Sequence, residues 1–461
     1  WYLALRASSL DLRELLERNA PVELREVPLD GAQRERALQR AVAAFAEKRK
    51  VTPPAIGVFP LEDDRFERVL YIHMAALALV DGLEITADSL LSQILQHETD
   101  FWILPFAAEN WTSAKKRTFE RGARRWVAAL TLLGGAPDMA IAERLRQAAD
   151  GPAVPEFLDQ LGRLYPGTRQ EQAHDRYLSK LEPDLLGEEL VSSVLTHAET
   201  ATDFLRTISE GFPPTAIENA FTVLGHLGWR HGQDASRWIK QLLEADLDQR
   251  AEPALRAAMA LGQTTTSAPI GLVLADVVRD HGTLELATRL DSQLPERSVS
   301  LRELAVCVLQ KQLERLSDEM TEAVRVERAR LCNNLGNRLS ELGRREAALA
   351  AAEEAVRIRR TLAAERPDAF LPDLAGSLSN VSVVLSELGR REAALAASRE
   401  AVQYYLTLTR QVPQVFQQQL LIATRGLLEN LEALGREPQS EPIVLEVIAV
   451  LQSQQGPEGP S

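Results

Sequence analysis

The sequence predicts a mainly α-helical chain that ends in an α-solenoid, a stack of helical hairpins. Three observations carry this. Ser340 to Ala351 (Ser-Glu-Leu-Gly-Arg-Arg-Glu-Ala-Ala-Leu-Ala-Ala) returns unchanged as Ser386 to Ala397, and the copies part at Ala352 against Ser398. A fading third copy, Ala433-Leu-Gly-Arg436, keeps the spacing: Leu342, Leu388 and Leu434 are 46 residues apart each time, as are Pro367 and Pro413. Composition agrees, with 45% apolar residues but only 5% aromatic, which favours helices packed at close range over sheets. A fixed period of this length marks units that cannot bury their apolar faces alone and must stack on neighbours.

Each unit reads as two helices. Asn334 to Leu339 ends a first helix, Gly343 breaks it, and Glu346 to Leu362 forms a second. Small residues stand where the two must touch: Gly336, Ala348 and Ala355 in one copy, Ser382, Ala394 and Ala401 in the next. Leu335, Leu339, Leu349 and Val356 supply the apolar stripe. The Leu-Gly, Ala and Ala at set offsets resemble a tetratricopeptide repeat, stretched from its usual ~34 residues. Residues 317–330 read as the degraded end of an earlier unit. Pro438 and Pro442 end the array, and Ile443–Gln455 reads as a capping helix.

The 461 residues carry a formal charge of −14, which speaks against a broad nucleic-acid-binding surface. Cys307 and Cys332 match no metal spacing, and a reduced, cytoplasmic chain is the simplest reading. No uninterrupted apolar run of bilayer-crossing length is present, so neither membrane nor nucleic acid is an expected partner. The chain opens at Trp1 in the middle of a pattern, and the expectation is a fragment of something longer.

Taken in order, Val22 to Leu29 alternates apolar and polar residues, as a short strand does; an extended linker is the other reading. Asp30 is placed to cap a helix from Ala32 to about Lys48. A helix is expected from Phe66 to Val80, and another from Thr86-Ala-Asp88 to near Trp102. Trp1-Tyr-Leu, Pro28-Leu29, the helix Gln33–Lys48, Phe59-Pro-Leu and Arg68-Val-Leu-Tyr-Ile-His-Met-Ala-Ala-Leu77 resemble the second half of the nucleotide-binding module of bacterial STAND NTPases. These are signalling ATPases related to NB-ARC and NACHT proteins. The resemblance implies an adenine contact from the lid at Val69 and Leu70, where Leu70 fills a slot the family gives to Pro. It also implies ADP or ATP with Mg as cofactor of a longer parent.

Residues 115–200 fit a winged-helix-like domain. Helices Phe119–Leu133, Met139–Ala149 and Val154–Tyr165 are followed by Arg176–Glu182 as a wing strand. Pro183-Asp-Leu opens the next helix. In related NB-ARC proteins this place carries a Met-His-Asp-Leu motif whose His reaches a phosphate. Pro183 removes that contact here, and Asp184 stays open as an inter-domain latch or as an ordinary first-turn acid. Six helices are then expected, Glu188–Ile208, Thr215–Gly228, Ala235–Leu247, Pro253–Leu261, Gly271–His281 and Leu284–Leu294, with Leu301–Leu316 before the clear repeats.

The expected division is therefore 1–57, the end of an α/β nucleotide-binding domain; 58–114, a helical lid; and 115–200, the winged-helix-like domain. It continues with 201–300, an irregular solenoid; 301–455, tetratricopeptide repeats with a capping helix; and 456–461, a disordered tail.

No Gly-x-x-x-x-Gly-Lys-Ser/Thr occurs, so the chain cannot cradle a triphosphate by itself, and no catalytic residue set can be assembled. His226, Trp229, His231 and Asp234 cluster in sequence but match no familiar metal-ligand spacing. The more useful constellation is the inner face of the repeat stack. Asn333 and Asn337, then Ser379 and Val383, then Arg425 and Glu429 recur at the repeat offset and are the expected partner-binding positions. The asparagines, including Asn334 and Asn380, suit either a bound peptide backbone or the joining of hairpins. Two functions follow: the trigger-binding sensor of a STAND-type NTPase, with antiphage defence among the outputs and a homo-oligomer as the active form, or a scaffold binding proteins with no nucleotide chemistry.

Overall fold

A computed structural model describes residues 30–454, apart from 57–58, 60, 64–65, 67–68, 84–85, 87–88, 104, 107–110, 166–177, 182–183, 197–200, 263–268, 296–297 and 317–320. Among the described residues there are twenty α-helices and no strand. The predicted strand Val22–Leu29, Pro183 and the tail 456–461 lie outside them. The chain divides into two compact units, 1–245 with 267–269, and 246–266 with 270–461.

The first unit begins with α1 (Gly31–Arg49). Asp30 caps it as predicted: its carboxylate accepts from Gln33 N at 2.7 Å, and the Gln33 side chain accepts from Asp30 N at 2.9 Å. This reciprocal pair satisfies two donors that the first turn leaves open. Helices α2 (Val69–Val80) and α3 (Leu90–Ile103) follow. Leu38, Val42 and Phe45 of α1 close a core with Tyr71, Ile72 and Ala75 of α2.

Next come α4 (Ser113–Leu132), α5 (Met139–Ala148), α6 (Pro155–Leu164) and α7 (Asp184–Thr196). Trp126 and Phe157 are fully buried here. Gly134 and Gly135 end α4 with φ of +79° and +99°, a backbone turn that side chains resist. A Cβ on Gly135 would lie 2.3 Å from the Leu178 carbonyl oxygen. That closeness lets Ala136 and Leu178 form an isolated antiparallel bridge, with N–H to oxygen distances of 2.9 and 3.0 Å. Leu178 lies in the segment Arg176–Glu182 expected as a strand, and its described residues form this single bridge and no strand.

The unit ends with α8 (Ala201–Ser209), α9 (Pro214–His226) and α10 (Gly232–Glu244). The helix expected over Glu188–Ile208 is described in two stretches, α7 and α8, and residues 197–200 between them lie outside the described residues. Asn219 on α9 donates to the Thr131 and Leu132 carbonyls at 3.1 and 2.8 Å, satisfying the end of α4 that no helical N–H can reach.

The second unit starts with α11 (Leu247–Gly262), α12 (Ile270–His281), α13 (Leu284–Gln293) and α14 (Arg302–Arg315). The expected start at Pro253 is overturned. Pro253 lies buried inside α11, where packing outweighs the backbone hydrogen bond that proline cannot donate.

Three tandem pairs follow: α15 (Glu322–Glu341) with α16 (Arg345–Glu365), α17 (Pro367–Glu387) with α18 (Arg391–Gln411), and α19 (Pro413–Ala433) with α20 (Pro442–Gln454). Residues 322–330, read above as a remnant of an earlier unit, are the first half of α15. Gly343, Gly389 and Gly435 close the three first helices with φ of +73°, +73° and +67°, the left-handed turn that explains the recurring glycine. Pro367 and Pro413 open α17 and α19, where a missing N–H costs nothing.

The apolar stripe is buried as expected. Leu335, Leu339, Leu349 and Val356 join Leu374, Leu378 and Val381 in one core running from hairpin to hairpin. Gly336 lets α15 meet α16 closely: a Cβ there would lie 3.2 Å from the Ala348 carbonyl oxygen. The third pair lacks this contact, because Leu428 stands where Gly336 and Ser382 stand. Accordingly α20 approaches α18 more closely than it does α19. The second unit is an α-solenoid ending in tetratricopeptide-type hairpins.

Among the described residues one helix, α17, is long and apolar enough to cross a bilayer by length and composition, with a mean hydropathy of 1.2 over its best window. Its Leu374, Leu378, Val381, Val384 and Leu385 are spent on neighbouring helices.

Candidate functional site

The six predicted groove positions fall on α15, α17 and α19, the first helices of the three hairpins. Asn337, Arg425 and Glu429 are exposed, and Val383 keeps 55% of its surface. Asn337, Val383 and Glu429 repeat along one column of the stack, and Arg425 stands one turn before Glu429. Asn333 and Ser379 are half-buried and turn inward. The Asn333 carboxamide oxygen accepts from Ser377 Oγ at 3.2 Å and from Asn380 Nδ2 at 3.0 Å, both on the next hairpin. Ser379 Oγ donates to the Ala375 carbonyl at 3.1 Å.

Asn333 and Asn380 therefore join hairpins, one of the two uses open to them. Asn430, buried at the next junction, repeats the device by donating to Ser382 Oγ at 2.9 Å and Ser398 Oγ at 3.3 Å. Sequence reasoning missed Asn430, as well as Arg330 and Ile422 on the same open face. Ile422 is 60% exposed and stands two periods after Arg330, so the repeat register alone would have found both.

Charge on the edge of the stack is also periodic. Arg344 reaches Glu303 at 2.6 Å, Arg390 reaches Glu346 at 3.0 Å, and Arg436 reaches Glu392 at 2.7 Å. Each pair ties the turn of one hairpin to the preceding unit. A groove of about 600 Å³ on α16 is lined by Glu353, Arg357, Arg360 and Thr361, with Val381 from α17. It contains none of the predicted positions. Its arginines are already held, Arg357 by Glu354 at 2.7 Å and Arg360 by Glu400 at 2.8 Å.

In the first unit, Val69 lies exposed on the first turn of α2, and Asp184 is the first residue of α7. The side chains of Leu70 and Asp184 are outside the described residues. Leu185, beside Asp184, belongs to the same core cluster as Tyr71 and Ile72 of α2 and Leu90 and Leu91 of α3.

The histidine cluster does not converge on a point. His226 Nδ1 lies 3.1 Å from Glu188, and His231 Nε2 lies 3.1 Å from Ser192 Oγ. Arg230 pairs with Glu189 at 2.8 Å. All three partners are on α7, so the cluster fastens the end of α9 to that helix. Cys307 and Cys332 are free and buried, and burial pushes both thiols up, away from reactive thiolates.

Fold and open face define a helical-repeat protein whose repeats serve protein–protein contact. The tetratricopeptide-repeat family model matches residues 328–368 and 374–408, which fall within α15 to α18 and their connections. That segment is made of tetratricopeptide repeats. No curated protein matches the chain.

Proposed function

We propose that the repeat stack binds a polypeptide along α15, α17 and α19, and that in the longer protein this binding controls a STAND-type nucleotide switch. The observation that carries the first part is the separation of labour on these helices. Asn333, Asn380 and Asn430 are spent on joining hairpins, while Asn337, Val383 and Glu429 face solvent at the same register, with Arg425 one turn before Glu429. The exposed valine supplies an apolar anchor, and the flanking amide and charges would fix direction and register of a bound segment.

The second part rests on the resemblance of residues 1–200 and on Leu185 belonging to the core cluster that holds Tyr71 and Ile72 of α2. In this reading the chain is cytoplasmic, with two unpaired thiols, and performs no catalysis itself. Val69, Leu70 and Asp184 contribute to holding ADP or ATP in the parent, whose other parts supply the phosphate cradle and Mg site. A trigger favours the open state only by binding it better than the closed one. Antiphage defence is one output this class of switch would serve.

The test is selection of peptides from a random library on the intact chain, followed by titration against Val383→Asp and Asn337→Ala. Loss of binding of about tenfold or more in Val383→Asp, with the melting temperature kept, is expected. Peptides that bind both variants as tightly as the parent chain would refute the groove. For the switch, stoichiometric ADP released from the denatured longer protein is expected, and a folded protein free of nucleotide refutes it.

A further inference from the structure

Gly376 on α17 stands at the register of Arg330 on α15 and Ile422 on α19, two residues of the open face. Where they carry long side chains, it leaves a notch. Apart from its own helix, the one atom of the described residues within 4 Å of a Cβ at Gly376 is the Tyr405 hydroxyl oxygen of α18, at 3.4 Å. Tyr405 is 8% exposed, and its hydroxyl has no hydrogen-bond partner among the described residues. A polar side chain so nearly buried is ordinarily partnered, and here the notch leads to it.

Arg359 on α16 stands one period before Tyr405 and is half-buried. Its Nη1 donates to the Asp373 carbonyl at 3.0 Å and to Ser377 Oγ, and its Nε and Nη2 have no partner among the described residues. The flanking Arg357 and Arg360 are held by Glu354 and Glu400, whereas Arg359 pairs with no described carboxylate. Burial pulls the Arg359 guanidinium below its ordinary value, so a negative charge brought to it is favoured. Burial also pushes the Tyr405 hydroxyl up, which keeps it protonated and able to donate. The two groups act on each other's charge, and the Asp373 carboxylate acts on both.

We infer that this notch takes the carboxylate of an aspartate or glutamate in the bound polypeptide, on Nε and Nη2 of Arg359 and on the Tyr405 hydroxyl. The inference rests on the open face binding a polypeptide, and it specifies one residue of that partner. The free groups are donors, so they suit an anion, and the edge of a guanidinium matches a carboxylate as a two-bonded fork. Asp373 repels a second negative charge brought beside it, which favours a singly charged carboxylate over a doubly charged phosphate. Gly376 lies two turns before Val383 on the same face of α17, about 10 Å away. About three residues of extended chain therefore separate the acid from the side chain resting on Val383.

The probe is a set of peptides selected from a random displayed library on the full chain, with affinities read by fluorescence anisotropy. The binders are expected to carry Asp or Glu about three residues from an apolar residue. Changing that acid to its amide should weaken binding to the parent chain about tenfold or more and cost little on Arg359→Gln, where the partner is gone. Gly376→Ile closes the notch and suits a helix better than glycine, so it gives the same comparison should Arg359→Gln fail to fold. Asp373→Asn should bind the acidic peptides more tightly. Binders that lose affinity in Val383→Asp yet carry no acid overturn the inference and leave the groove standing. So does an acid-to-amide change that costs as much on Arg359→Gln and Gly376→Ile as on the parent chain. Binders indifferent to Val383→Asp whose acid still depends on Arg359 support the notch and refute the Val383 anchor. A library that yields no binder overturns both.

Discussion

Truncating Leu349 to alanine tests the packing scheme most directly. Leu349 is 3% exposed and sits in the core shared by Leu335, Leu339 and Val356. Removing three carbons forfeits about 2 kcal/mol of transfer free energy. The cavity left behind adds to this, because backbones held by neighbouring hairpins on both sides collapse only partly, for a total of ~2–5 kcal/mol. In a solenoid the loss falls on one unit and its interfaces first. Urea unfolding followed by circular dichroism gives the magnitude. Native-state hydrogen exchange gives the place, with protection falling in α15 to α18 before α11 to α14. Leu421→Ala is the matched control: its side chain is 48% exposed and should change stability by less than ~0.5 kcal/mol. Equal effects for the two substitutions, or an unchanged transition for Leu349→Ala, would refute the register.

Asn430→Ala should cost ~1–3 kcal/mol, since it leaves Ser382 and Ser398 without their shared buried donor; Asn430→Asp melting like the parent chain would show the amide is unimportant. Arg390→Ala should cost less than ~1 kcal/mol, because its pair with Glu346 is exposed, and the difference should vanish in ~1 M salt. Burial raises Glu98 above the usual carboxylate range, against the hydrogen bond it accepts from Tyr165. The native state then holds this proton more tightly than the unfolded chain does. Its contribution is full below the ordinary carboxylate range and is lost as pH rises through the raised native value. Glu98→Gln keeps an acceptor and cannot ionise, so it should gain stability relative to the parent chain as pH rises above the ordinary carboxylate range. Parallel pH profiles would contradict this.

The hairpins were legible because their period is written in the residues that turn the backbone: Gly343, Gly389, Pro367 and Pro413 each sit where the structure needs them. The start of α11 was not. Pro253 looked like a helix start because proline favours that place, yet tertiary packing holds it within α11. Asn333 and Asn337 are the same residue type four apart, and the chain order does not say which turns inward. Only the position of Ser377 and Asn380 on the next hairpin decides it.

The arginines that reach one unit back have a further consequence, on the timescale of genes. Twelve consecutive residues recur unchanged, so the DNA segments encoding them are natural places for misaligned recombination. A crossover there adds or removes 46 residues, which is one whole hairpin pair. Each arginine would still meet a glutamate, because Arg390 finds Glu346 by repeat phase and not by absolute position. The array can therefore change length in quantised steps without mending any junction, and its open face would lengthen or shorten by the same step.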